Sequence, residues 1–336
     1  MHGELRRWMA AGLCGLALAA SAAESPIEQQ SRALTRASDA VLGLRAQAVD
    51  GARSVRTLGA ERRGSGVLIG SDGLVLTIGY LILEAEQVEL ITDDDRRIPA
   101  RVVGYDVATG FGLVQALAPL ALAPVPLGSS AALAANDALV MVSGGENGAV
   151  GPARLASRRA FSGYWEYHVD GALFTAPARS DHSGAGLFNL QGELLGIGSL
   201  VVSDALGAEA GRMPGNMFVP VDLLKPILAE LRERGSSRAS DRAWIGVNCI
   251  ENAGEIRIAR VADDSPADVA GLMAGDRILR IDGVAVDKLE GLWKHLWAGS
   301  SSERAVLLEI ERDGVRQSFT VQSVDRAKTL RRAQGI

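Results

Sequence analysis

Between Ala40 and Val219 the chain is a succession of short apolar runs, rich in Val, Ile and Leu and punctuated by Gly, Asp, Ser and Pro. Runs so short and so often interrupted suit strands joined by tight turns better than helices. The first set is Ala40–Ala48, Ser65–Gly70, Leu74–Thr77, Gln87–Thr92, Ile98–Gly104 and Phe111–Ala116. The second is Ala138–Ser143, Val150–Ser157, Tyr167–Val169, Ala172–Ala176, Gly186–Asn189, Leu194–Val202 and Asn216–Val219. Ser71-Asp72-Gly73 marks a hairpin, since Gly73 can take the positive φ that the turn needs. Two sets of about six short strands predict two small antiparallel barrels. Leu223, Leu224, Ile227, Leu228 and Leu231 have helical spacing and predict an amphipathic helix closing this unit.

The flanks divide the rest of the chain. Arg6 and Arg7, the apolar stretch through Leu18 and the small residues Ala20-Ser21-Ala22 predict a cleavable secretory signal over residues 1–23. The run is short for a bilayer span, so no stable membrane span is expected after its removal. Cys14 follows Leu13, where lipid attachment needs a small residue, so a lipoprotein is not expected. Without the signal Cys249 is the sole cysteine, expected as a small buried hydrophobe with no disulfide. Ser25-Pro26-Ile27-Glu28 reads as a capping box for a helical segment within residues 24–37. Residues 38–235 form the double-barrel unit and the polar stretch 236–242 a linker. Residues 243–324 form a compact third unit, with one helix that Asp287 can cap. The basic residues 325–336 read as a frayed, solvated tail. With 47% hydrophobic residues there is material for more than one core, and a net charge of −5 without a long basic run gives no reason to expect nucleic acid.

Several blocks then carry a resemblance: GSGVLIGSDGLVLT, RVVGYD, VPLGSSAALAANDALVMVSG, SGAGLFNLQGELLGIGS around Ser183, and NMFVPVDLLKPIL. In this order they resemble trypsin-like serine proteases of the HtrA/DegP type. The resemblance places Ser183 at the nucleophile, Tyr80 of Thr77-Ile78-Gly79-Tyr80-Leu81-Ile82 at the catalytic histidine, and Gly110 of Asp106-Val107-Ala108-Thr109-Gly110 at the orienting aspartate. Asp181 falls where a glycine supplies an oxyanion-hole N–H; a carboxylate there is expected to repel the developing charge and strain the turn. A serine hydroxyl attacks a carbonyl only if a neighbour takes its proton, and a phenol with a reference pKa near 10 is a poor acceptor. His168 or His182 could form a rewired dyad with Ser183, whereas His295 belongs to the third unit's helix. His168, Asp170, Asp181 and His182 lack a specific metal spacing. No metal or cofactor is expected.

Residues Trp244-Ile245-Gly246-Val247, Ser265-Pro266-Ala267-Asp268, Ala270-Gly271-Leu272, Ala274-Gly275-Asp276 and Ile281-Asp282-Gly283 resemble the PDZ domains attached to such proteases. The resemblance implies binding by strand addition, with a terminal carboxylate on the amides of Ile245, Gly246 and Val247 beside Trp244. One of Leu292, Trp293 or Leu296 is expected to line the opposite wall. The fold class expected is mainly β, a trypsin-like double β-barrel followed by a PDZ domain (α+β). The function expected is that of a periplasmic or secreted pseudoprotease that binds peptide C-termini or unfolded protein as adaptor, chaperone or regulator. The alternatives are a hydrolase using Ser183 with a non-standard base, and a regulatory subunit of active HtrA-type proteases. Trimerisation through an aromatic N-terminal arm, implied by the resemblance, has no aromatic residue to rest on in SPIEQQSRALTRASDA.

Overall fold

The computed structural model describes residues 25–299 and 301–331; the expected signal and residues 332–336 lie outside them. Ser25 caps the first helix, Pro26–Asp39, accepting from the Glu28 N–H while the Glu28 carboxylate accepts from the Ser25 N–H. The chain then enters β1 (Val41–Ala48), β2 (Glu61–Leu68), β3 (Leu74–Ile78), β4 (Ala85–Ile91), β5 (Arg97–Tyr105) and β6 (Phe111–Ala116). They close as a barrel in the order β1-β2-β3-β6-β5-β4, all of whose neighbouring pairs are antiparallel. The second barrel is built from β7 (Ala138–Val142), β8 (Val150–Ser162), β9 (His168–Ala176), β10 (Gly186–Phe188), β11 (Leu194–Val202) and β12 (Gly215–Pro220), in the order β10-β11-β12-β9-β8-β7. Closure leaves no strand edge unpaired in either sheet. One apolar cluster runs through both barrels, from Leu42 and Phe111 to Phe174 and Phe188, so the two are packed together.

Three sequence expectations change here. Tyr167–Val169 and Ala172–Ala176 belong to one strand, because the β8–β9 ladder absorbs the polar Asp170-Gly171 at a register shift. β8 continues past Ser157 to Ser162, carrying its hairpin beyond the barrel. The expected amphipathic helix is reduced to a 3-10 turn at Val221–Leu223 and a helix at Leu228–Arg234, with Pro226, which has no N–H to give, between them.

The expected linker is docked. Ser237 and Ser240 place their hydroxyls on the buried carboxylate of Asp106, which also accepts from the Thr109 N–H at 2.8 Å and hydroxyl at 2.6 Å. The third unit holds β13 (Ala243–Trp244), β14 (Val247–Asn252), β15 (Glu255–Val261), β16 (Arg277–Ile281), β17 (Val284–Ala285), β18 (Ala305–Arg312), β19 (Val315–Gln322) and β20 (Val324–Asp325). Its main sheet runs β14-β15-β16-β18-β19, with β17 beside β16. The Leu289–Leu296 helix buries Leu289, Leu292, Trp293 and Leu296. Asp287 does not cap this helix; Lys288 is the N-cap, and the Glu251 carboxylate accepts from the Leu289 N–H at 2.8 Å.

The frayed tail also needs correction. Asp325 and Val324 pair with β13, and beyond a 3-10 turn the Arg331 N–H reaches the Glu84 carboxylate of the first barrel at 2.9 Å. Composition showed the positive charge of this stretch but not the strand edge and the buried acid awaiting it. The double barrel and the PDZ domain are the fold of this chain.

Candidate functional site

Ser183 and Tyr80 lie far apart in sequence and meet where the two barrels face each other. Tyr80 sits in the 3-10 turn Gly79–Leu81 that follows β3. The buried Arg62 guanidinium fixes this turn, donating to the carbonyls of Tyr80 (3.0 Å) and Leu83 and to Ser54 Oγ (2.7 Å). Ser183 precedes β10, and its carbonyl accepts from the Ser65 N–H of β2 at 2.8 Å. The Tyr80 hydroxyl oxygen lies 2.8 Å from Ser183 Oγ and 3.0 Å from the Ser199 carbonyl oxygen, two acceptors within reach of its single proton. Burial pushes the phenol up to about 12, against a smaller lowering by the Ser183 hydroxyl. At that value roughly one phenol in 10⁵ is ionised at pH 7. The group beside the serine is therefore a neutral phenol at pH 7.

Gly110 lies behind Tyr80: its carbonyl accepts from the Gly79 N–H at 2.7 Å, and its φ is +82°. A Cβ there would stand 3.0 Å from the Tyr167 hydroxyl, which donates to the Thr109 carbonyl at 2.6 Å. The space in which a side chain at 110 would extend is taken by a phenol. The Asp181 carboxylate is held by Arg179, whose Nε donates at 3.0 Å, and by the Ser143 hydroxyl. Partial burial raises its pKa, but these partners outweigh it and keep the carboxyl below its usual range. Asp181 does not strain the turn as expected, because the positive φ falls on Gly184 (+74°).

The histidines are engaged elsewhere. Burial lowers the pKa of His182, whose Nδ1 is 3.2 Å from the Arg179 carbonyl. His168 bonds Ser162 Oγ through Nδ1 (2.9 Å) and Asp170 through Nε2 (3.1 Å). Of the four residues weighed as a metal cluster, His168 and Asp170 come together, joined by Glu290 of the third unit rather than by Asp181 and His182. Lys294 pairs with two of the three, its Nζ 2.6 Å from Glu290 and 3.7 Å from Asp170. Such a group reads as an ion-pair network binding the β8–β9 hairpin to the Leu289–Leu296 helix.

The loop of the PDZ domain contains an anion from its own chain. The Glu166 carboxylate accepts from the N–H groups of Gly246 (2.7 Å), Val247 (3.1 Å) and Ile245 (3.2 Å). Gly246, at φ +88°, turns these amides inward, and a Cβ there would collide with the Ser265 side chain at 2.2 Å. Burial pushes Glu166 up to about 7, against the pull of the three amides and Arg326. Trp244 gives no N–H to this carboxylate; its backbone pairs with Val324 and its ring lies beside Gly246. Leu292 and Leu296 are buried in the domain's core, and Trp293 donates its indole N–H to the Gly163 carbonyl at 3.0 Å. Sequence reasoning does not single out Glu166, Arg62 or Tyr167; the aromatic run Tyr164-Trp165-Glu166-Tyr167 around a lone acid is the available signal.

Residues 64–197 match the model of the trypsin-like peptidase domain, and residues 243–322 that of the PDZ domain. A protein of Ectopseudomonas mendocina (strain ymp) named "Probable periplasmic serine endoprotease DegP-like" is 26% identical over 276 residues, covering 78% of this chain and 56% of the relative. The Pseudomonas putida (strain F1) protein of the same name is 27% identical over 285 residues, covering 80% and 57%. The chain thus spans little more than half the length of these curated relatives. Among solved structures, the HtrA-type protease AlgW with decapeptide shares 19% identity at a TM-score of 0.53, covering 90% of this chain and 98% of its own. The serine endoprotease from Yersinia pestis shares 21% identity at a TM-score of 0.53, covering 88% and 97%. These likenesses support the HtrA/DegP-type resemblance. No helix among the described residues is long and apolar enough to cross a membrane.

Proposed function

We propose that this chain is an HtrA-like pseudoprotease of the periplasm or the secreted space, acting on peptides or unfolded chains by binding them and not by cutting them. The observation that carries this reading is the Tyr80 hydroxyl 2.8 Å from Ser183 Oγ, a neutral phenol in the place where a proton acceptor is required. Gly110 supports it, since Tyr167 occupies the space an orienting acid would need. In a comparable protease, loss of the histidine base cost on the order of 10⁶ in rate. What the chain retains is the amide-lined loop of the PDZ domain and the edge of β14 beside it, which the β8–β9 hairpin pairs with in this structure, the two elements of strand-addition recognition. An adaptor, chaperone or regulatory role, including regulation of active HtrA-type proteases, follows from binding without cleavage.

The test pairs a fluorophosphonate probe with unfolded casein, using the full chain and its Ser183→Ala variant. Neither labelling nor turnover above the variant is expected. Labelling and turnover that vanish in Ser183→Ala would establish a hydrolase with a non-standard base instead.

A further inference from the structure

Gly163-Tyr164-Trp165-Glu166, the tip of the β8–β9 hairpin, makes the contacts on the PDZ domain that an extended peptide would need. It runs antiparallel to β14, with Trp165 paired to Asn248. The Cys249 N–H donates to the Tyr164 carbonyl at 2.6 Å, and Trp293 holds the Gly163 carbonyl from the helix side. The hairpin thus lies between β14 and the Leu289–Leu296 helix, its acid on the loop amides. A peptide ending in a free carboxylate would compete for the same three N–H groups and the same edge, and both cannot be seated at once.

We propose that the peptide groove is held shut in cis by this hairpin, with Glu166 standing in for a terminal carboxylate, and that a peptide with a free C-terminus enters only by displacing it. The inference rests on the peptide-binding reading above and adds its regulation. The tip is suited to release: Tyr164 is 57% exposed, and three residues that hydrogen-bond the third unit from the tip of a hairpin, Gly163, Tyr164 and Glu166, can leave without unpairing the barrel. The apparent affinity of an incoming peptide is then reduced by the fraction of molecules in the open state. Trp165 stacks on Tyr167 at 5.5 Å, which gives the displaced segment an anchor from which to return.

The experiment uses the full chain and fluorescein-labelled Ser-Gly-Tyr-Trp-Val with a free or amidated C-terminus, read by fluorescence polarisation. Glu166→Ala is expected to bind the free-acid peptide at least about tenfold tighter than the unaltered chain. The double variant Trp165→Cys/Asn248→Cys, oxidised to tie the pair, is expected to lose binding and to recover it on reduction. Equal affinity in the unaltered chain, Glu166→Ala and the oxidised double variant overturns the closure while leaving peptide binding standing. If neither peptide binds any variant, the peptide-binding reading fails, and hydrogen exchange decides the closure alone. Faster exchange of the Val247 and Cys249 amides in Glu166→Ala supports the closed hairpin, and unchanged exchange refutes it.

Discussion

On the proposed reading, placing a histidine at position 80 is not expected to produce cleavage. In Tyr80→His the ring begins from the same backbone turn, still pinned by Arg62. An imidazole Nε2 ends about 2 Å closer to its own Cα than a phenol oxygen does, and a base must come within roughly 2.6–3.2 Å of the proton it takes. Since the Tyr80 oxygen is itself 2.8 Å from Ser183 Oγ, the substituted nitrogen falls short of the hydroxyl. Even a ring that tilted inward would lack an orienting acid, a loss of about 10⁴ in kcat in comparable triads. Adding Gly110→Asp does not repair this. The left-handed backbone at 110 costs a side chain about 1–2 kcal/mol, and its Cβ would already meet the Tyr167 hydroxyl at 3.0 Å. Casein turnover and fluorophosphonate labelling of Tyr80→His, alone and with Gly110→Asp, are expected to match the same proteins carrying Ser183→Ala. A single Tyr80→His chain that cleaves casein 100-fold faster than its Ser183→Ala control would refute this steric reasoning, a threshold of about 2.7 kcal/mol.

Two further outcomes follow from other parts of the chain. Burial of Glu166 docked in the loop pushes its pKa up to about 7, and Arg326 is the charged side chain that acts on it, while the buried Cys249 thiol nearby stays neutral. The docked form therefore holds more protons than the released one between about pH 4.5 and 7, so closure strengthens as pH falls through that window and is unchanged above it. Without peptide, the Val247 and Cys249 amides, corrected for intrinsic exchange rates, are expected to be protected on the order of tenfold more at pH 5.5 than at pH 8, and Glu166→Ala should abolish the difference. Asp106→Ala strips the buried partner from Ser237, Ser240 and Thr109, a loss of about 3 kcal/mol by the cost of unsatisfied buried groups. Its thermal midpoint should drop, and trypsin should cut faster at Arg238, whose side chain is 87% exposed; unchanged cleavage would show that Asp106 does not hold the segment.

Much of the architecture is readable from periodicity, because a strand's face is set by neighbours two residues away and a tight turn by a few residues between. The limits of Leu194–Val202 and Phe111–Ala116 are those that the apolar runs predict. The first helix declares itself through Ser25 and Glu28 for the same local reason. Where polar residues interrupted a strand, as at Asp170-Gly171, the ladder of the neighbouring strand decided continuity, and that information lies outside the window. The docked linker and the tail were misread because their partners, Asp106 and Glu84, are distant in sequence.

The amino-acid order alone determined which groups are present: a serine, Ser183, with the resemblance putting Tyr80 and Gly110 at its two partner positions, and a glycine-bearing loop, Ile245-Gly246-Val247, able to turn its amides to an anion. Only the tertiary structure decided what those groups touch. It brought the Tyr80 phenol to Ser183 and put the hairpin's own Glu166 on the PDZ loop. Composition can state a residue's chemistry, but a hydrogen bond across 80 or 103 positions depends on two barrels and a third domain being packed at the same time.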